Sequence, residues 1–244
     1  MNIAFCALHY GSDYLGYSIK SIYDYVDRIY ILYSDRPTFS YQTSMINPDT
    51  REKLVAAAYM FGDPKSKIRW IDGHWNTEGQ HRQAIHHFSA IDNPDCIVTV
   101  DADEVWAKRV IENALDKGYK GNSRIYGAKM LTFWRSFSWI CLDDWLPVRL
   151  TFPKRNGPND SIDGRVFHFG YARSIADISY KVPIHGHHHE WRPEWFGRFV
   201  TWPQSGNNDL HPVAKDVWNA MPYDKAQLPD FMKQHPYYNL DIIA

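Results

Sequence analysis

Cysteine is scarce in this chain, and so is any excess of charge. Cys6, Cys96 and Cys141 are the three cysteines in 244 residues, each in or at the edge of an apolar run, with no C-x-x-C spacing. That excludes a disulfide framework and reads as buried reduced thiols of a cytoplasmic protein. Lys plus Arg number 27 against 28 Asp plus Glu, a formal net charge of −1. No global positive field exists to hold a phosphate backbone, so a nucleic-acid partner would need a local patch. The 12 histidines qualify this, because some of them gain charge near pH 6. No apolar stretch approaches the roughly 20 residues that cross a bilayer. The opening run lacks a basic start and ends at His9, too short for a signal-peptide core. Internal repeats, low-complexity tracts and linker-like Gly/Ser/Pro stretches are missing too, which predicts one domain over residues 1–244. What is plentiful is apolar and aromatic surface, 44% and 16% of residues, enough to offset the entropy of ordering the chain.

Hydrophobic periodicity predicts an α/β fold. Ile3 to Leu8 is continuously apolar, the mark of a strand buried on both faces, and stops at Tyr10-Gly11-Ser12-Asp13. Leu15, Ile19, Ile22 and Val26 then recur at helical intervals. A second apolar run, Arg28 to Tyr33, ends at Ser34-Asp35-Arg36-Pro37 and completes a parallel βαβ unit. A helix from about Pro48 to Phe61, opened by Asp49-Thr50, leads to a short strand Ile68 to Ile71. A helix from about Glu78 to Ala90 leads to Cys96 to Val100. Ligands of such doubly wound sheets bind beyond the carboxyl ends of the strands, here the loops from His9, Ser34, Asp72 and Asp101. After a helix near Ala107 to Asp116, the aromatic runs Ile125 to Phe137, Trp139 to Leu142 and Pro147 to Phe152 predict an antiparallel extension of the same sheet. From His168 onward a helix or two alternates with Pro-rich irregular chain.

The sharpest local feature is Val98-Thr99-Val100-Asp101-Ala102-Asp103-Glu104, three acids directly after a buried strand. Carboxylates there are costly unless they are paired or bind a cation. A spacing of two lets Asp101 and Asp103 point the same way and share a hard divalent ion. The plainer alternative is negative charge suited to the start of the following helix.

An N-terminal βαβ sheet followed at about one hundred residues by an apolar strand ending in D-x-D-(E) resembles the GT-A fold glycosyltransferases. The resemblance covers about Asn2 to Trp106, and implies a nucleotide-binding half (residues 1–106) and an acceptor-binding, metal-completing half (residues 107–244). A second segment, His168-Phe169-Gly170-Tyr171-Ala172-Arg173 followed by Lys181, is similar to one found in bacterial and phage GT-A-like transferases. The resemblance implies a metal-dependent glycosyltransferase of a bacterial or virus-infected cytoplasm, with a nucleoside-diphosphate sugar, UDP-linked, as donor. Mn²⁺ or Mg²⁺ would sit on Asp101 and Asp103, with His168 as third ligand and His185 as its competitor. A core histidine bonded between strands is the other reading of His168. Arg82, Arg173 and Lys181 would meet the phosphates, and His9, Tyr10, Gly11 and Asp35 the nucleoside, although Asp35 equally suits a turn before Arg36-Pro37.

Breaking the glycosyl bond loads negative charge onto the leaving diphosphate, which a divalent cation stabilises. An inverting reaction also needs a general base, and Asp143 and Asp144 are the candidates, unless they merely open a turn before Leu146-Pro147. The string His185-Gly186-His187-His188-His189-Glu190 supports a rival reading. In an extended chain alternate histidines share one face and can hold zinc, as in a metal-dependent hydrolase. A non-catalytic carbohydrate- or nucleic-acid-binding module is the other rival. Trp134, Trp139, Trp145, Trp191, Trp195 and Trp202 fit sugar recognition and a packed core equally well. The acceptor stays open among glycan, lipid, protein and modified DNA.

Overall fold

The computed structural model describes residues 1–38, 44–186 and 188–244. Its first strand, β1 (Asn2–Leu8), pairs in parallel with β2 (Arg28–Tyr33) on one side and β4 (Cys96–Thr99) on the other. β3 (Ile68–Asp72) extends the parallel set beyond β2. The connecting helices are α1 (Ser12–Ile22), α2 (Arg51–Ala58) and α3 (Glu78–Asp92). Alternation along the strands divides the core. Ala4, Cys6, Ile29, Ile31 and Val98 pack with Leu15 and Ile19 of α1, Leu54 of α2, and Ile111 and Ala114 of α4 (Lys108–Lys120). Ile3, Phe5, Leu32 and Ile97 face the other way, against Ile85 of α3. The doubly wound α/β arrangement expected for the first hundred residues is therefore present, and all three cysteines are buried and free.

The antiparallel extension is present as well, with an addition. β7 (Trp139–Asp143) and β8 (Val148–Thr151) flank β6 (Ser123–Trp134), each antiparallel to it, and β8 closes antiparallel onto β4, giving the order β10-β7-β6-β8-β4-β1-β2-β3. β10 is the short Met221–Pro222. The unexpected element is β9 (Gly157–Tyr171), a 15-residue strand that runs parallel to β6. Its far half pairs antiparallel with the two-residue β5 (Glu104–Val105), setting Glu104 opposite His168. This pairing carries the H-F-G-Y segment to the D-x-D loop.

Beyond β9 come α5 (Ile175–Ile184) and α6 (Trp195–Thr201). The C-terminal chain returns to bury Leu228, Met232 and Ile243 against Tyr14, Phe133 and Phe169. Trp134, Trp195 and Trp202 lie within 3% of full burial and belong to an aromatic core, whereas Trp145 is 76% exposed. Among the described residues no helix is long and apolar enough to cross a membrane.

Candidate functional site

Four loops converge at the carboxyl ends of β1, β2 and β4, where they bound a cleft of about 280 Å³. His9 and Tyr10 follow β1, Asp101 and Asp103 follow β4, and Arg82 reaches in from α3. His168 and Tyr171 come from β9, Arg173 from the loop after it, and Lys181 and His185 from α5 and its end. Nine residues singled out from the sequence thus line one cavity: His9, Tyr10, Arg82, Asp101, Asp103, His168, Arg173, Lys181 and His185. Gly11 stands just behind it at φ +119°, a conformation that favours glycine. The Gly11 and Ser12 N–H groups donate to Asp49 at 2.6 and 2.9 Å, so Asp49 caps the entry to α1, while Thr50 alone caps α2.

The two acids of D-x-D have different partners. Asp101 accepts from Arg82 through Oδ1 and from Arg149 through Oδ2, both at 3.0 Å. Burial alone would raise the Asp101 carboxyl, but these two guanidinium groups outweigh it and hold the group well below the usual carboxylate range. Asp103 lies 3.9 Å from Nε2 of His168 and 3.5 Å from Nη2 of Arg173. Its carboxyl is raised by burial and lowered more by His168, Lys181 and Arg173, so it too is ionised at neutral pH. Burial lowers the pKa of His168, and Thr132 Oγ1 lies 3.2 Å from its Nδ1.

Glycine at position 170 makes this close packing possible. A Cβ there would come within 2.5 Å of His168 Nε2 and 3.1 Å of Lys181 Nζ. The Lys181 ammonium donates to the Gly170 carbonyl at 3.2 Å and sits over the Tyr171 ring. Burial depresses the Lys181 pKa, against the pull of Asp103. Arg173 is anchored by Asp13 at 2.5 Å, with only 3% of its side chain exposed, and its Nε has no hydrogen-bond partner among the described residues. At the β1 end of the cleft, the Ser34 carbonyl accepts from His9 Nδ1 at 3.0 Å, which assigns His9 Nε2 as acceptor for the Tyr180 hydroxyl at 2.6 Å.

Three of the sequence expectations fall elsewhere. Asp35 is exposed and paired with Arg36 and His74, outside the cleft. Asp143 and Asp144 end β7, also outside it. Asp144 is held by Lys129 at 3.1 Å and Arg165 at 2.6 Å, hydrogen bonds that lower its pKa, and Asp143 accepts from the backbone N–H of Trp145. The histidine string is not an extended strand. His185 follows the end of α5, tilted against Trp191, and His188–Glu190 forms a 3-10 turn in which His189 meets Glu190 at 3.5 Å. His187 lies outside the described residues. Among the described residues no three His, Cys, Asp or Glu side chains are grouped to hold a metal ion.

Sequence reasoning missed Arg149, a buried arginine on β8 that joins Asp101 to Glu104. It also missed Glu78, which orients Arg82 at 2.7 Å. Glu78 one helical turn before Arg82 was a legible signal. Arg149, inside an aromatic run, carried none.

No family model matches the chain, and no curated protein does. Among solved structures, an active-site mutant of LgtC shares 15% identity at a TM-score of 0.33, over 52% of this chain and 46% of that one. This chain therefore spans less than half the length of that structure.

Proposed function

We propose that this chain is a glycosyltransferase that takes a nucleoside-diphosphate sugar, with UDP as its nucleotide, and passes the sugar to an acceptor hydroxyl. The observation that carries the reading is one cleft at the carboxyl ends of the parallel strands in which Arg82, Arg173 and Lys181 stand around Asp103 and His168. A diphosphate is a ligand that such cations suit, and as leaving group it gains the charge they stabilise. The unpartnered Nε of Arg173 supports this, since a buried donor left unsatisfied costs about 1–3 kcal/mol that an oxyanion would recover.

Asp103 and His168 present an oxygen and a nitrogen 3.9 Å apart that suit Mn²⁺ or Mg²⁺, whereas both oxygens of Asp101 face arginines. Bound there, the ion would act as a Lewis acid on the departing diphosphate. Asp101 would then serve as a clamp, holding Arg82 from α3 beside the phosphates and tying it to Arg149 beneath. Tyr10 and His9 line the β1 end of the same cleft, and the reading gives them the base, with Tyr10 as the ring it would stack on.

The test is a thermal-shift and calorimetry panel of UDP, GDP, CMP and ADP with and without Mn²⁺, on wild type and Asp103→Asn. Selective stabilisation by UDP, enhanced by Mn²⁺ and lost in the variant, is the expected result. Stabilisation by Zn²⁺ without any nucleotide would turn the assignment toward a hydrolase built on the histidine segment. Nucleotide binding without sugar transfer would leave a binding module.

A further inference from the structure

A second cleft, of about 400 Å³, lies on the α3 side of the sheet and shares Arg82 and Asp101 with the first. Its apolar lining comes from Phe5 and Ile97 on the sheet, Ile85 on α3, and Pro147 and Val148 at the start of β8. Thr99, Thr151 and Gln83 add hydroxyl and amide groups. Its two arginines leave little for a ligand on this side, because Arg149 is held by Asp101 and Glu104, and Arg82, oriented by Glu78 and Asp101, is the cation assigned above to the first cleft. A strongly charged ligand gains little from them. A neutral ring with apolar faces and hydroxyl edges matches both parts of the lining, in a cleft of the size that takes small molecules.

The chain entering this cleft exposes four large apolar side chains within seven residues. Leu142, Trp145, Leu146 and Val148 are exposed by 42, 76, 45 and 42%. The segment is nevertheless built rather than loose. The Trp145 N–H donates to Asp143 Oδ1 at 3.0 Å, the Ala128 N–H donates to the Pro147 carbonyl at 3.1 Å, and Asp144 is pinned by Lys129 and Arg165. A fixed turn thus presents an indole to solvent two residues before the cleft wall. Indole faces stack on the apolar faces of sugar rings. A membrane surface is the less suitable occupant, because the two cations that this turn holds, Lys129 and Arg165, are paired with Asp144 rather than free for anionic headgroups.

We infer that this second cleft receives a neutral carbohydrate acceptor, with Trp145 as its outer stacking platform and the Arg82–Asp101 pair as the edge where it meets the donor cleft. The inference rests on the transferase reading above and names the class of its acceptor. The experiment titrates ¹⁵N-labelled protein with the methyl β-glycosides of glucose, galactose and N-acetylglucosamine to millimolar concentration, following the indole N–H of Trp145, assigned through Trp145→Phe. A saturable shift of that signal with at least one glycoside is expected, with binding, read in Trp145→Ala from the backbone amides of cleft residues such as Thr99 and Thr151, weakened about three- to tenfold. An unmoved signal with all three glycosides overturns the inference. So does a response only to phosphatidylglycerol vesicles, which would make the lip a lipid contact. UDP titrated into the same sample separates the two proposals. UDP binding with no glycoside response sinks the acceptor site alone, and a glycoside response without UDP binding keeps a carbohydrate site and sinks the transferase.

Discussion

Arg149 and Glu104, 45 residues apart, form a buried ion pair beneath the D-x-D loop, with Arg149 Nε at 3.1 and 2.9 Å from the two carboxylate oxygens. Glu104 is 1% exposed and Arg149 5%. Burial pushes the Glu104 carboxyl up to about 7 even against the pull of Arg149, so the pair is costly to break. Arg149→Met leaves Glu104 and Asp101 without their shared cation, and a loss of about 3–5 kcal/mol is expected. Urea unfolding of Arg149→Met, Glu104→Gln and the double variant checks this. The double variant should lose clearly less than the two single losses combined, and simple additivity would show that the pair does not act as a unit.

Gly170 has a narrower role. A Cβ placed 2.5 Å from His168 Nε2 forces the ring to move, and the Lys181 ammonium, 3.1 Å away, must shift with it. Gly170→Ala should cost about 1–3 kcal/mol of stability as overpacking does. Its larger effect should be on ligand binding, with UDP plus Mn²⁺ weakened at least tenfold by calorimetry while the variant stays folded. Wild-type affinity in Gly170→Ala would show that the His168 position is not critical.

Acid should destabilise the fold through two buried histidines. His235 donates to the Asp13 carbonyl at 2.9 Å and stacks on Tyr14. Burial drops its pKa to about 3. His81 donates to the Leu32 carbonyl at 2.6 Å and stacks on Trp75, and burial brings it down to about 4. Both are neutral when folded and take up a proton on unfolding below the ordinary value near 6.5. Their contribution is therefore complete above about pH 6.5 and is lost as pH falls toward 4 and then 3, by about 1.4 kcal/mol per pH unit for each. Melting temperatures of wild type and His235→Gln from pH 8 to 4 measure it. The variant should show the shallower slope below pH 6.5, and parallel curves would remove His235 as a source.

The parallel half of the fold was legible because β1, β2 and β4 are buried on both faces and so are written as near-continuous apolar runs; Arg28–Tyr33 is an observed strand residue for residue. β9 was not. Its first half, Gly157–Gly164, is largely exposed and polar, and its partner β6 lies some 34 residues upstream at the Ser123–Gly157 register, so no local pattern marks it. Of the cavity-lining residues that sequence reached, His9, Tyr10, Asp101, Asp103 and Arg173 follow strand ends, His168 belongs to the H-F-G-Y segment, and Arg82, Lys181 and His185 come from α3, α5 and its end. Asp49 shows the limit of local reading. Next to Thr50 it looks like a cap for the following helix, yet it holds the start of α1 across 37 residues of chain. Asp143 and Asp144 show another, since two acids in an apolar run look like chemistry when they are the anchor of a turn.

The two acids of the D-x-D loop should separate by variant. Asp101 carries two arginines at 3.0 Å, so Asp101→Asn removes charge-assisted hydrogen bonds worth about 1.5–3 kcal/mol each to a site that is only 25% exposed. It should lower stability first and weaken nucleotide binding with or without Mn²⁺, because Arg82 loses its anchor. Asp103→Asn removes a carboxylate that repels Asp101 and meets Arg173 only at 3.5 Å. Its melting temperature should stay close to wild type, and its deficit should appear as loss of the Mn²⁺-dependent part of UDP binding. Calorimetry and thermal unfolding of both variants, with and without Mn²⁺, give eight numbers for this contrast. If Asp101→Asn instead keeps full stability and loses only the Mn²⁺ response, Asp101 turns from its arginines to the metal, and its role as a clamp is wrong.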